Sequence, residues 1–291
     1  MIKKIRIRLF NIITRLQKHQ ITRQNLHTPA WKYILTILKL EVIRKFRLKA
    51  QYKRTGLVST NIETFSVCNR KCEFCFNHPR FEQRKQGKMP TEMWEKIMDQ
   101  LAEIRFSGRI GPHFFNEPLL DERLPHLIEY ARKKLPYAWI QINTNGDFLN
   151  EELLLKLYAK GVNYFFITNY DKAEKPLLKN LEIKFPALVS VVKNSDMWRT
   201  DRGGEIFHKK KLLDTSCLRP SSQIVINWEG KVLLCCMDYY ARYSFGNLND
   251  RTLFSIWWDK NFIVTREKIK QTRQKGFPIC HNCDDPGIIP W

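Results

Sequence analysis

Residues 67–76 read VCNRKCEFCF, and the C-x3-C-x2-C spacing of Cys68, Cys72 and Cys75 decides how the rest of the chain is read. Thiolates are the usual protein ligands of iron-sulfur clusters, and a 4Fe-4S cube normally takes four of them. This run supplies three, so a cube held here keeps one iron corner open to another ligand. A structural zinc site wants four ligands, usually as two C-x2-C-like pairs, and His78 is the one nearby residue that could complete such a set. Disulfides suit secreted chains, and no signal segment is read in this sequence. The eight cysteines therefore point to a reducing cytoplasm and to metal chemistry.

Outward from this loop, strand and helix signals alternate. Apolar runs at 62–67, 110–115, 139–144, 162–167 and 187–192 read as buried strands. Between them, Met93, Trp94, Ile97, Leu101 and Ile104 mark a helix face after Pro90, a good first-turn residue. Leu124, Leu127, Ile128 and Ala131 mark a second helix, and Asn150 caps a third that stops at Gly161. The alternation predicts an α/β fold with a parallel sheet, whose ligands bind at the carboxyl ends of the strands. Polar groups fall at four such ends: the cysteine loop, Asn116-Glu117-Pro118, Thr144-Asn145-Gly146 and Thr168-Asn169.

With the aromatic Phe74 before its last cysteine, the loop resembles the cluster loop of the radical S-adenosylmethionine (SAM) enzymes. The resemblance implies a partial (β/α)6 TIM-like barrel. It also implies that SAM chelates the open iron and is cleaved to a 5'-deoxyadenosyl radical. The segment FFNEPLL at 114–120 is similar to the family's G-G-E motif, with Glu117 matching the acid that binds the SAM amino group. Phe115 and Asn116 depart from the usual glycines. The TNG segment resembles a strand end that meets the SAM ribose, which makes Thr144 and Asn145 candidate partners. Phe74, Asn116 and Thr168 complete the candidate cofactor-binding set.

The last third of the chain holds the other five cysteines. Cys217, Gly230, Cys235 and the C-x2-C pair Cys280 and Cys283 resemble the auxiliary cluster domain of SPASM and twitch type. Four cysteines can close one 4Fe-4S cube, and on the residues alone they could also hold zinc. The resemblance implies two 4Fe-4S clusters in all. A hairpin is expected over 224–234, turned at Glu229-Gly230, and LNDRTLFSIWW (248–258) reads as a helix supporting the cluster. Cys236 is left over. If strand alternation holds there it faces away from the cluster, either to donate hydrogen to a substrate radical or as a small buried residue. Arg202 belongs to an R-G-G segment like one found between the clusters of relatives, where an arginine could meet the substrate or the SAM carboxylate.

Charge divides the chain. The whole carries +21, and residues 1–54 hold 15 lysines and arginines against the single acid Glu41. Ile2, Ile5, Leu9, Ile12, Ile13 and Leu16, and then Trp31, Ile34, Leu35, Leu38, Val42 and Phe46, form apolar stripes among these basic residues. Such helices suit an anionic membrane surface, or else they pack on the body with their charges in water. No run approaches the ~20 apolar residues that span a bilayer. No recognition module accompanies the charge, so nucleic acid is not expected. The expected organisation is a basic helical extension at 1–58, a radical SAM partial barrel at 59–200 and an auxiliary cluster domain at 201–291.

The expected activity is radical oxidation or epimerisation at a hydroxylated carbon of a sugar, cyclitol or glycoconjugate, with flavodoxin or ferredoxin as external reductant. The layout resembles that of aminocyclitol dehydrogenases and aminoglycoside epimerases. Cytoplasmic placement is expected, with possible peripheral contact on the inner membrane face. Two alternatives stand beside this reading. One is radical modification of a ribosomally made peptide; the other is a zinc-stabilised binding module without catalysis.

Overall fold

The computed structural model describes residues 30–196, 200–206 and 215–287. The first apolar stripe, the side chains of Trp31, Ile34, Leu35 and Leu38, and the linker residues Met197, Trp198 and Arg199 lie outside the described residues.

Eight strands form one open sheet: β1 (Ser59–Ile62), β2 (Arg109–Gly111), β3 (Trp139–Thr144), β4 (Tyr164–Asn169), β5 (Val189–Lys193), β6 (Gln223–Ile226), β7 (Lys231–Leu233) and β8 (Ser244–Asn247). Their order is β5-β4-β3-β2-β1-β6-β7-β8. β1 to β6 make an all-parallel set, and β7 and β8 run antiparallel to their neighbours. The sixth parallel strand thus lies beside β1 rather than beyond β5. Residues 223–247 thereby continue the sheet that residues 59–193 begin.

The strands are shorter than, or displaced from, the apolar runs. β1 ends at Ile62, and the chain beyond it is tied by Glu63 N–H to the Ile226 carbonyl, by a bridge from Phe65 to Lys88 and by Glu117 N–H to the Val67 carbonyl. β2 stops at Gly111 because Pro112 has no N–H to give the ladder. Pro90 caps the helix Thr91–Glu103 from outside its first turn. The third helix, Glu151–Lys160, is as read: Asn150 accepts from Leu153 N–H, and Gly161 closes it at φ 119°.

Alternation along each strand sorts the two faces. Ile62, Ile110, Ile140, Ile142, Phe165, Ile167, Ile224 and Ile226 join Trp94, Ile97, Leu127 and Leu157 in the main core beneath the helices. Asn61, Arg109, Gly111, Gln141 and Asn143 take the opposite face, toward the lumen. The helix Ala30–Thr55 crosses the amino ends of the strands. Gln51 accepts from Ser107 N–H and donates to the Leu57 carbonyl, and the Trp257 indole N–H bonds the Thr55 carbonyl. The helix expected over 248–258 is only Leu253–Trp257, and it packs into the main core. A helix absent from the sequence reading, Lys260–Gln271, supports the second cysteine set instead.

His113 lies buried in the lumen, with Nδ1 facing the Asn143 N–H at 3.4 Å. Burial, and then the charge of Arg109, push its imidazole down to about 3. The unfolded chain binds a proton near the ordinary histidine value while the folded chain does not, so stability falls as pH drops from about 6.5 toward 3. Urea unfolding across that window should show the loss, and His113→Gln should flatten it.

Candidate active site

The cysteine loop crosses the carboxyl ends of the strands, and the residues between its cysteines fasten it there. Asn69 donates to Asp147 and accepts from the Asn145 amide at 2.8 Å. Arg70 forks onto Asp147 at 2.6 Å and reaches Asp171 at 2.9 Å, while Lys175 bridges the same two acids. Burial works against ionisation of Asp147, but hydrogen bonds from Arg70, Lys175 and Asn69 hold it well below the usual carboxylate range. The first loop is therefore locked to the turns after β3 and β4. Sequence reasoning missed this network; its signal was a basic residue inside the cysteine run and acids just past two strand ends.

The structure brings Glu117, Thr144 and Asn145 together. Glu117 is buried and accepts from the Thr144 hydroxyl at 2.6 Å, the Asn145 N–H at 2.8 Å and the Leu119 N–H at 3.1 Å. Burial pushes its carboxyl up and these donors oppose the shift. Its charge is felt at Cys68, whose thiol burial pushes to about 11. Phe74 meets Tyr170 at 5.5 Å, and Tyr170 shares a hydrogen bond with Thr168. Asn116 turns back on its own loop: its oxygen accepts from Phe114 N–H, and its buried Nδ2 has no partner.

Cys217, Cys235, Cys280 and Cys283 gather around Leu234, Met237 and Ile269. Cys217 N–H bonds the Ile269 carbonyl, and Cys280 N–H the Phe277 carbonyl. Burial pushes Cys280 to about 11 and Cys283 to about 12. Iron arriving here must displace protons, since thiolates and not thiols are the ligands. Space is kept by glycine: a Cβ on Gly287, at φ 71°, would fall 3.1 Å from Cys217 Sγ and 2.5 Å from an Arg273 nitrogen. Arg273, fully buried, holds the Cys283 carbonyl at 3.1 Å and keeps Nε and Nη2 without partners beside the thiols. Among the described residues no three His, Cys, Asp or Glu side chains converge within reach of a single ion. A cube takes one thiolate per corner and does not require that they do. Three thiols over the strand ends and four in a separate nest fit one open and one closed cube.

Aromatic rings join the two sets. Phe76, next to Cys75, stacks on Tyr239 at 4.7 Å, and Phe115 meets both rings edge-on. Arg84 pairs with the buried Glu63 and covers Tyr239 at 4.6 Å. Arg202 lies over Phe115 at 5.3 Å and near Tyr170, so it reaches from the second segment toward the first loop. Its φ of 54° is unusual for a side-chain-bearing residue. That turn is held by Asp201, whose N–H bonds Asp284 at 2.8 Å. β7 ends at Leu233, so strand alternation does not govern Cys235 and Cys236. Cys235 nevertheless neighbours Cys280 and Cys283, while Cys236 neighbours Arg109 and Arg219.

Comparison with known proteins agrees with this geometry. Residues 62–168 match the radical SAM superfamily, and residues 217–284 match SPASM, an iron-sulfur cluster-binding domain. The chain belongs to the radical SAM superfamily. The "S-adenosyl-L-methionine-dependent 2-deoxy-scyllo-inosamine dehydrogenase" of Niallia circulans is 29% identical over 232 residues, 78% of this chain and 92% of that protein. The crystal structure of BtrN in complex with AdoMet and 2-DOIA superposes with a TM-score of 0.74 at 29% identity, covering 80% of this chain and 94% of that one. The "Fe-coproporphyrin III synthase" of Methanosarcina barkeri is 32% identical over 102 residues, 33% of this chain and 23% of that protein. The chain is thus a radical SAM enzyme with SAM and 4Fe-4S clusters as its cofactors.

Arg70→Met should lower the iron of the first site by more than half while the second keeps its own, and Gly287→Ala should do the reverse. Iron and sulfide analysis with Mössbauer spectra of the two variants checks both.

Proposed function

We propose that this enzyme oxidises a secondary alcohol carbon of a sugar or cyclitol to a ketone. The observation that carries the reading is the second thiol nest: four cysteines close a cube that needs no further ligand, next to the lumen. The chain also aligns with almost the full length of a cyclitol dehydrogenase. That alignment favours a small polyol over a ribosomal peptide, and two cysteine sets in these two family domains favour iron over a zinc-stabilised binding module.

When bound, SAM and the first cube, with flavodoxin or ferredoxin as reductant, would supply hydrogen abstraction from the substrate C–H, and the second cube would supply an acceptor for the electron left as the hydroxyl gives its proton to solvent. The chain's own residues supply position and dryness. Cys68, Cys72 and Cys75 hold the open cube, and Cys217, Cys235, Cys280 and Cys283 hold the closed one. Glu117, fixed by its donors, takes the SAM amino group. Thr144, Asn145, Thr168 and the free Asn116 Nδ2 border the rest of the cofactor, with Phe74 beside it. Arg202, reaching across Phe115, meets the substrate or the SAM carboxylate.

Cys72→Ala should abolish SAM cleavage. Cys280→Ala should still form 5'-deoxyadenosine but lose at least about tenfold in ketone. Chromatography of both products under anaerobic conditions measures the split, and equal loss of cleavage in both variants would contradict the division of roles.

A second reading, epimerisation, is favoured by one observation: Cys236, left over from the four-thiol set, packs against that set and also lies beside Arg109. Turnover in deuterated water separates the two. A ketone free of new deuterium supports oxidation; an alcohol deuterated at the reacting carbon, and no longer formed by Cys236→Ala, supports epimerisation.

No described helix is long and apolar enough to cross a membrane. The basic helix does expose Val42 and Phe46, at 67% and 75%, beside Arg47 and Arg54. We assign this face to peripheral contact with anionic lipid. Flotation of the full chain with vesicles containing phosphatidylglycerol, and not with neutral vesicles, is the expected result; equal flotation with both would contradict it.

A further inference from the structure

We propose that the lumen carries a recognition site for an acidic group of the substrate, a carboxylate or a phosphate, built on Arg109. The inference rests on the reading that the lumen is the substrate space, and it goes further by naming a substrate class.

Arg109 opens β2 and takes the lumen face with Gly111. The one hydrogen bond described for its guanidinium is a long one, Nη2 to Asn61 Oδ1 at 3.4 Å, and its buried Nε has no partner. Among the described residues no carboxylate pairs with it. The groups around it are His113, held neutral by burial, the Cys236 side chain and Arg219, a second cation. The Arg219 charge is already matched by its fork onto Asp285, at 2.7 and 2.9 Å. Burial pushes the Arg109 guanidinium down; Cys236 opposes that shift and the nearby Arg219 adds to it. A half-buried guanidinium whose Nε lacks a hydrogen bond and which meets no carboxylate is costly, and one anion would relieve both the missing hydrogen bond and the repulsion from Arg219. Arginine is also the side chain suited to forked recognition of carboxylate or phosphate.

The position argues that this anion belongs to the substrate and not to SAM. Arg109 pairs in register with Trp139, the first residue of β3, whereas the proposed cofactor groups begin at Thr144, the last. Five residues of parallel strand separate those levels, roughly 17 Å. An acid held at Arg109 places its polyol part in the lumen, on the side toward the cysteine loop. An amine-bearing cyclitol, such as the substrate named for the Niallia circulans enzyme, would meet like charge at this point.

Anaerobic calorimetry on the reconstituted full chain with SAM present tests the proposal, using glucuronate, glucose 6-phosphate, glucose and glucosamine as probes. One acid at least should bind about tenfold or more tighter than glucose, glucosamine should bind no better than glucose, and added salt should weaken the acid. The acid that binds tells carboxylate from phosphate. Arg109→Gln should bring the preference to within about twofold, and Arg109→Lys should keep part of it. Iron content and circular dichroism check that both variants fold, and if the glutamine variant does not fold the lysine variant decides, since an unchanged preference and unchanged salt response there count against the forked site. No preference of the wild type for either acid over glucose, absence of binding included, overturns the proposal, as does a preference that survives Arg109→Gln. Failure of the oxidation reading is separate, because it would appear as missing 5'-deoxyadenosine or ketone whatever the binding order.

Discussion

The stack of Phe76 on Tyr239 is the contact on which the rest of the arrangement depends. Phe76 follows the third cysteine of the first set directly, and Tyr239 lies four residues past Cys235 of the second. A buried aromatic pair of this kind adds about 1 kcal/mol to the area it removes from water, and here Phe115 and Tyr240 multiply the contact. The stack also fixes geometry, because it holds the segment after the first cysteine set against the segment after Cys235. The Glu63–Arg84 pair beneath Tyr239 closes the clamp with charge matched inside the protein.

The sheet performs the same task over a longer range. Since β6 pairs with β1, any shift of the second cysteine nest relative to the barrel would have to break a parallel ladder of four register pairs. A flexible tether between two domains would not impose that restraint. The nest is therefore tied to the sheet, with Cys236 and Arg219 near Arg109 of β2 and Arg202 over the Phe115 ring.

Most of the site was legible in sequence where the chemistry needs a particular atom at a particular spacing. Seven cysteines, Glu117 with Thr144 and Asn145, and the cap pair Asn150 and Gly161 are of this kind, because thiolates, strand-end carboxylates and left-handed glycines have few substitutes. Strand limits were less legible. Phe65 and Val67 keep the run apolar, though out of phase with Ile62, but ladder bonds and not apolar pattern decide where a strand stops, and those bonds belong to distant partners. The place of β6 beside β1 could not be read locally for the same reason. The Arg70–Asp147–Asp171–Lys175 network left only a faint signal, since its members lie far apart in sequence and charged residues are common on any surface. Arg109 went unnoticed because an arginine in a short strand tells nothing until its neighbours are known to lack an acid.

The central claim is that three thiolates leave one iron corner bare for SAM while four close the other cube. Electron paramagnetic resonance of the reduced, reconstituted protein tests it most directly, compared with and without SAM in a Cys280→Ala, Cys283→Ala variant that retains the first set alone. The account predicts a 4Fe-4S signal whose g values shift when SAM is added. A signal unchanged by saturating SAM, or no cluster signal in a folded variant, would contradict it.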